Sequence, residues 1–236
     1  MKINLKKKPK NVTILEGFPG FGLIGTITTE FLLEHLDVEL IGSVLIDDLP
    51  SVVAIHETKL MQPIGIYYNK KHNLVIFHVV TSVQGNEWKL AEATIEVAKS
   101  LNAKEFLSIE GVGSTTPGDE TKIFFYSNKP ANAKRFEKIK VPVLKEGIVM
   151  GVTAALLVEA GDFPLSCIFA EAHSQLPDSK AAAKVMEVLD KYLNLNVDYK
   201  PLLKQAEKFE EKLKGIMQQS KVTEDERDKK RMSYVG

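Results

Sequence analysis

The 236-residue sequence holds a single cysteine, Cys167, which excludes an internal disulfide and any metal site built from several thiolates. Arginine is almost as scarce: Arg135, Arg227 and Arg231 are the only three among 31 basic side chains. A guanidinium is the preferred bidentate ligand for phosphate and carboxylate, so the chain up to Lys221 offers one such anchor. Net charge is lacking too, with 31 basic against 31 acidic residues, and no overall field draws the protein to nucleic acid or an anionic membrane. No apolar run reaches the roughly 18–20 residues that a membrane-spanning helix needs. The opening MKINLKKKPKNV also lacks the apolar stretch of a signal peptide. A cytoplasmic protein is expected, with neither nucleic acid nor membrane as a partner.

What remains, 44% hydrophobic and 26% charged, is the composition of a globular chain long enough to bury a core. Val12–Glu16, Leu40–Ile46, Val52–Glu57, Ile64–Tyr68, Leu74–Val80, Glu105–Glu110, Ile123–Tyr126 and Leu165–Ala170 read as strands. Phe21–Leu36, Asn86–Leu101, Ala131–Lys138 and Lys180–Leu193 read as helices, the last opened by a cap at Pro177-Asp-Ser. In the second of these helices Trp88, Ala91, Ile95 and Ala98 share one apolar face. Gly147–Ala160 is nearly all apolar and reads as a buried helix. Strands alternating with helices predict an α/β fold with helices on both faces of the sheet. The hairpin at 64–80 adds antiparallel pairing, so the sheet is expected to be mixed and mostly parallel.

The character changes near residue 198. Pro201 sits where a helix begins, and Leu202, Ala206, Phe209, Leu213 and Ile216 recur at spacings of four, three, four and three. A seam of about two heptads is too short to stand alone in water and must pack on the domain or on a partner. From Lys221 to Arg231 nine of eleven residues are charged, the composition of a solvated, disordered tether. The expected division is an α/β core over 1–198, a helix over 199–219 and a charged flexible tail over 220–236.

The loudest motif is Gly17-Phe-Pro-Gly-Phe-Gly-Leu-Ile-Gly25. Its Gly20-x-Gly22-x-x-Gly25 spacing, after a strand and into a helix, is the dinucleotide-binding fingerprint in its expected context. Asp47-Asp48 closes the next strand, roughly where a ribose-binding acid would sit. The same glycines would equally keep a turn tight and let the helix close on the sheet. No histidine–acid arrangement or substrate-binding arginine of a dehydrogenase follows. Gly17, Gly20, Gly22 and Gly25 therefore carry two readings, structural packing and nucleotide or dinucleotide binding. Ser114-Thr-Thr116, preceded by glycines, could offer backbone N–H groups to an anion, with Arg135 the only core guanidinium to assist. The five histidines show no metal-ligand spacing. Glu171 and His173 form the best local polar pair, and Cys167 reads as an inert buried thiol.

The GFPGFGLIG opening, the following strand with its Asp-Leu-Pro segment, the apolar stretch at 147–160, Glu171-Ala-His173 followed by Pro177-Asp178, and the terminal helix occur in an order that resembles the archaeal branch of the proteasome-assembly-chaperone family. The resemblance runs from about Val12 to about Leu213. It implies an α/β fold similar to the nucleoside-phosphorylase type and no established catalysis; neither a cofactor nor a metal is expected. It implies as partners further copies of the chain, proteasome core-particle subunits and a related paralogue. Some archaeal members bind the core particle through a C-terminal hydrophobic–Tyr–any residue motif, and eukaryotic relatives assist assembly of the α-ring. Here Tyr234 is third from the end rather than penultimate, preceded by Ser233 and flanked one step out by Met232 and Val235. Met232, Tyr234, Val235 and Gly236 are the expected partner-binding residues, and the seam Leu202–Ile216 the expected oligomer or packing helix.

Overall fold

The computed structural model describes residues 1–56, 58–113, 121–172 and 177–202. Within them the strands are β1 (Lys2–Leu5), β2 (Thr13–Gly17), β3 (Glu39–Leu45), β4 (Ala54–His56), β5 (Lys59–Met61), β6 (Ile64–Asn69), β7 (Leu74–Val79), β8 (Glu105–Gly113), β9 (Ile123–Ser127) and β10 (Leu165–Ala172). The helices are α1 (Ile24–His35), α2 (Glu87–Ser100), α3 (Pro130–Lys138), α4 (Gly151–Glu159) and α5 (Ser179–Leu193).

Eight strands form one sheet in the order β1-β3-β6-β7-β2-β8-β10-β9. The centre, β7-β2-β8-β10, is parallel. On one side β6, β3 and β1 continue it by antiparallel pairing, and on the other β9 closes it antiparallel to β10. Every residue of β2 and β7 is buried, as strands covered on both faces require. One face packs Leu15, Ile76, Leu107 and Ile168 against apolar residues of α1 and α5. The other packs Ile14, Phe77, Phe106 and Phe169 against α2 and α4. This is the mixed α/β architecture expected from the alternation of patterns.

Local chemistry accounts for the best-defined boundaries. Asp178 caps α5, its carboxylate accepting from the Ala181 N–H at 2.9 Å, at the cap predicted from Pro177-Asp-Ser. Asn194 ends that helix in the left-handed region, φ 54°. Pro130 opens α3, where its missing N–H costs nothing. Phe136 then pins α3 down, stacked between Phe125 and Tyr192 at ring-centroid distances of 4.8 and 4.1 Å.

Three expectations need correction. The apolar stretch 147–160 is not one buried helix. Helix α4 begins only at Gly151, whose φ of +72° cannot continue a right-handed helix upstream, and Ile148, Met150 and Val158 are exposed. The segment before it runs extended, with Val143 bridging Phe125. Trp88 is more than half exposed: Ala91, Ile95 and Ala98 of its expected face are buried, together with Leu90, Thr94 and Val97, while Trp88 stands at the margin of that face in the first turn. The strand expected over 52–57 is present but shorter, as β4, and it pairs in a two-stranded sheet of its own with β5, which like β1 was not expected. Leu202 is buried in the core beside Leu195. Ala206, Phe209, Leu213, Ile216 and the tail residues lie outside the described residues.

Candidate functional site

The loop from β2 into α1 is built by close backbone approaches. A Cβ on Gly17 would lie 2.0 Å from the Gly25 carbonyl oxygen, and one on Gly111 only 1.9 Å from that of Phe21. Gly22 takes φ +68°, a conformation glycine adopts without steric cost. No side chain caps α1. Instead the carboxylate of Glu110 accepts the backbone N–H groups of Phe21 and Gly111. It lies so close beneath Gly20 that a Cβ there would meet Glu110 Oε1 at 2.2 Å. In a dinucleotide site the pyrophosphate occupies this place on the helix N-terminus. Here the chain's own carboxylate fills it. Asp47 and Asp48 do not complete a ribose site either: β3 lies three strands from β2, Asp47 meets the Met1 ammonium at 3.3 Å, and Asp48 pairs with Lys89.

A row of polar side chains crosses the sheet under α4. Glu16, Ser108 and Cys167 stand in register on β2, β8 and β10. Glu16 hydrogen-bonds with the Ser108 hydroxyl and accepts the Phe18 N–H at 2.8 Å. Ser108 Oγ lies 3.0 Å from Thr153 Oγ1, and Thr153 donates to Glu110 Oε2 at 2.9 Å. Burial is the main cause that pushes the Glu16 carboxyl up to about 8 and that of Glu110 to about 7. It also raises the Cys167 thiol well above its ordinary value, in keeping with an inert buried group. Sequence reasoning missed Glu16, Ser108, Glu110 and Thr153. A signal existed: Leu15-Glu16-Gly17 and Ile109-Glu110-Gly111 each place one acid between an apolar strand and a glycine.

Above Glu110, at the C-terminal edge of the parallel strands, opens a cleft of about 1150 Å³. This edge is where open α/β sheets bind ligands. Phe18, Phe21, Val112, Phe124 and Val149 supply apolar wall, and Glu87, Glu110 and Glu171 supply half-buried carboxylates. Lys145 and its neighbour Glu146 stand at the exposed rim.

The remaining candidates are engaged elsewhere. Arg135 donates from Nη1 to Glu105 Oε2 at 2.8 Å and belongs to the packing of α3, not to an anion site. His78 is held by α1, Nδ1 2.9 Å from Thr29 Oγ1 and Nε2 2.7 Å from Glu30 Oε2. Among the described residues no group of three His, Cys, Asp or Glu side chains is placed to hold a metal ion, and no helix is long and apolar enough to cross a membrane. His173 and Ser114–Thr116 lie outside the described residues.

Comparison with known proteins follows the same architecture. Pyrococcus furiosus PbaA, an archaeal homolog of proteasome-assembly chaperone, is 31% identical, with a TM-score of 0.85 over 94% of this chain and 100% of that one. An uncharacterised protein of Methanocaldococcus jannaschii is 30% identical over 217 residues, 89% of this chain and 87% of that protein. Pyrococcus furiosus PbaB, an archaeal proteasome activator, shares the fold, with a TM-score of 0.75 at 19% identity over 92% of this chain and 98% of that one. The chain is thus an α/β protein related to archaeal homologues of proteasome-assembly chaperones. A model of the PAC2 family matches residues 14–217, and the chain belongs to that family.

Proposed function

We propose that this protein is a non-enzymatic, proteasome-assembly-chaperone-like platform that assembles with copies of itself and binds proteasome core-particle subunits in the cytoplasm. The observation that carries the reading is the end-to-end likeness to PbaA, 31% identity over 94% of the chain. Two features of the site support a role without catalysis. The N–H groups of the glycine loop are engaged within the chain, that of Phe18 by Glu16, that of Phe21 by Glu110 and that of Leu23 by the Gly20 carbonyl, and the one core guanidinium is engaged by Glu105. In this reading Leu202, Ala206, Phe209, Leu213 and Ile216 form a helix that packs on the domain or on a neighbouring copy. A related paralogue can take a place in the same assembly. Met232, Tyr234, Val235 and Gly236 dock on the partner, tyrosine offering both area and a hydroxyl to a pocket. Several such tails on one platform raise binding roughly 10²–10⁴-fold over a single tail.

The test is retention on immobilised archaeal core particle and on isolated α-subunits. Full-length protein, protein lacking residues 232–236, and Tyr234→Ala are compared, with native mass measured by light scattering. The expected result is an oligomeric mass for all three and retention of the full-length protein alone. Equal retention of all three removes the tail from the mechanism, and a monodisperse monomer removes self-assembly.

A further inference from the structure

We propose that the cleft above Glu110 is a binding site for a small organic cation, an arylalkyl ammonium whose apolar body lies on Phe18, Phe21 and Phe124 and whose ammonium faces Glu110. The apolar wall and the acids come from the same cavity. The three carboxylates that reach into it, Glu87, Glu110 and Glu171, are half-buried, whereas the one lysine stands exposed at the rim beside Glu146. An anion entering the cleft would therefore meet uncompensated like charge in a partly desolvated space. That repulsion costs more than it would in water.

A second feature asks for a ligand. Thr81 lines the cleft, is 3% exposed, and its Oγ1 has no hydrogen-bond partner. A buried hydroxyl without a partner costs about 1–3 kcal/mol. An ammonium carries three donors and can give one to this oxygen and others to Glu110. The opposing influence is the helix N-termini at the cleft, since neither α2 nor α4 has a side-chain cap. Each contributes only about half a positive charge, and the effect falls off within one turn. Glu87 in the first turn of α2 carries a full charge at one of the three helix entries, and Glu110 at the entry to α1 carries one once a cation is bound. The balance favours a cation.

The ionisable groups around Glu110 are Glu16 and Cys167 below it and Glu87, Glu171, Lys145 and Glu146 around the cleft. Near neutral pH the Glu110 carboxyl, raised to about 7, is only partly ionised, and a bound ammonium holds it ionised, so binding releases a fraction of a proton. The site does not depend on binding to proteasome subunits.

Titration calorimetry on the full chain at pH 7 tests this with tryptamine and indole-3-acetate, which share an indole body and differ in the sign of the charge. ATP serves as a second anion. Tryptamine is expected to saturate one site per chain with an affinity of about 1 mM or better, with heats that differ between phosphate and Tris as proton release requires. Indole-3-acetate and ATP are expected to give no saturable heat. Glu110→Gln should weaken tryptamine at least tenfold and Thr81→Val severalfold. Absence of saturable tryptamine binding to the wild-type protein overturns the proposal. So does equal binding of indole-3-acetate, or an unchanged affinity in both variants.

Discussion

Glu16 and Glu110, on the neighbouring strands β2 and β8, are joined through the hydroxyls of Ser108 and Thr153 in one unbroken chain of hydrogen bonds. Two hydroxyls bring two protons to three contacts. All three are satisfied only when a carboxyl brings the third, and burial makes Glu16 the group that holds it, raised to about 8. The chain then runs from a neutral Glu16 to Glu110, which takes backbone N–H groups at the entry to α1 and is the less raised of the two.

Stability should therefore fall as pH rises. A carboxyl raised on folding holds its proton more tightly in the native state than in the unfolded chain. Between the ordinary value of 4.5 and about 8 the native state carries the extra proton of Glu16. Unfolding free energy decreases across that window, by at most about 1.4 kcal/mol per pH unit for each such group. Urea midpoints measured from pH 5 to pH 9 are expected to decline. Glu16→Gln, which stays neutral, should flatten the decline. A wild-type profile parallel to that of Glu16→Gln would show that the carboxyl is not raised.

Cys167 sits beneath the same row with no exposed surface. Its thiol is raised by burial first and by the nearby Glu16 and Glu110. Reaction with a thiolate-seeking disulfide reagent then requires the helices that cover this face of the sheet to lift, and should be slower than in urea-unfolded protein by about a thousandfold or more. Prompt labelling in native buffer would mean that the helices covering this face lift easily.

The glycines should rank by what a Cβ would strike. Gly17→Ala puts a carbon 2.0 Å from the Gly25 carbonyl and forces α1 off the sheet, an overpacking cost of at least about 3 kcal/mol. Gly85 has φ +81° and nothing within 4 Å, so Gly85→Ala pays backbone strain alone, about 1 kcal/mol. Gly22→Ala adds to similar strain a contact at 3.1 Å with Ala172 Cβ and should fall between. Denaturant midpoints give the order. Calorimetry on the same proteins should show no saturable heat with NAD, and a heat that Gly22→Ala abolishes would restore the cofactor reading of the loop.

The pattern of this loop was legible and its occupant was not. A strand, a glycine-rich turn and a helix were readable because they depend on neighbours within ten residues. Whether the turn holds a phosphate or a carboxylate depends on Glu110, ninety residues away and brought close only by the pairing of β2 with β8. The cap at Asp178 was readable for the same local reason. The stretch 147–160 misled because apolar content was taken for burial, while the φ of Gly151, which stops the helix, is a backbone property that composition does not carry. Trp88 misled because it shares the spacing of the buried Ala91, Ile95 and Ala98 yet stands in the first turn of α2, at the margin of the buried stripe. The hairpin β4–β5 turns at Thr58, φ 63°, a residue that rarely marks a left-handed turn.

The last prediction concerns Arg135, the guanidinium that an anion-binding reading would have used. Its Nη1 donates to Glu105 Oε2 at 2.8 Å, its Nη2 to the Tyr192 carbonyl at 3.2 Å, and its plane lies 3.8 Å over the Tyr192 ring. Glu105 is buried and also accepts from the Tyr192 hydroxyl at 2.5 Å and from Ser166 at 3.1 Å. The two partners differ in environment, with the Arg135 side chain 43% exposed and that of Glu105 3% exposed. Surface ion pairs contribute about 0–1 kcal/mol, whereas stranding one member of a buried pair costs about 3–5 kcal/mol. The carboxylate cannot reach water when the guanidinium is removed, so the second regime governs. Arg135→Met should cost about 3 kcal/mol in urea unfolding, near the lower end because Tyr192 and Ser166 still donate. Adding Glu105→Gln to Arg135→Met should return part of that loss, since no buried charge is left unpaired. A cost below about 1 kcal/mol for Arg135→Met would place the pair with surface bridges and leave the guanidinium free to serve another ligand.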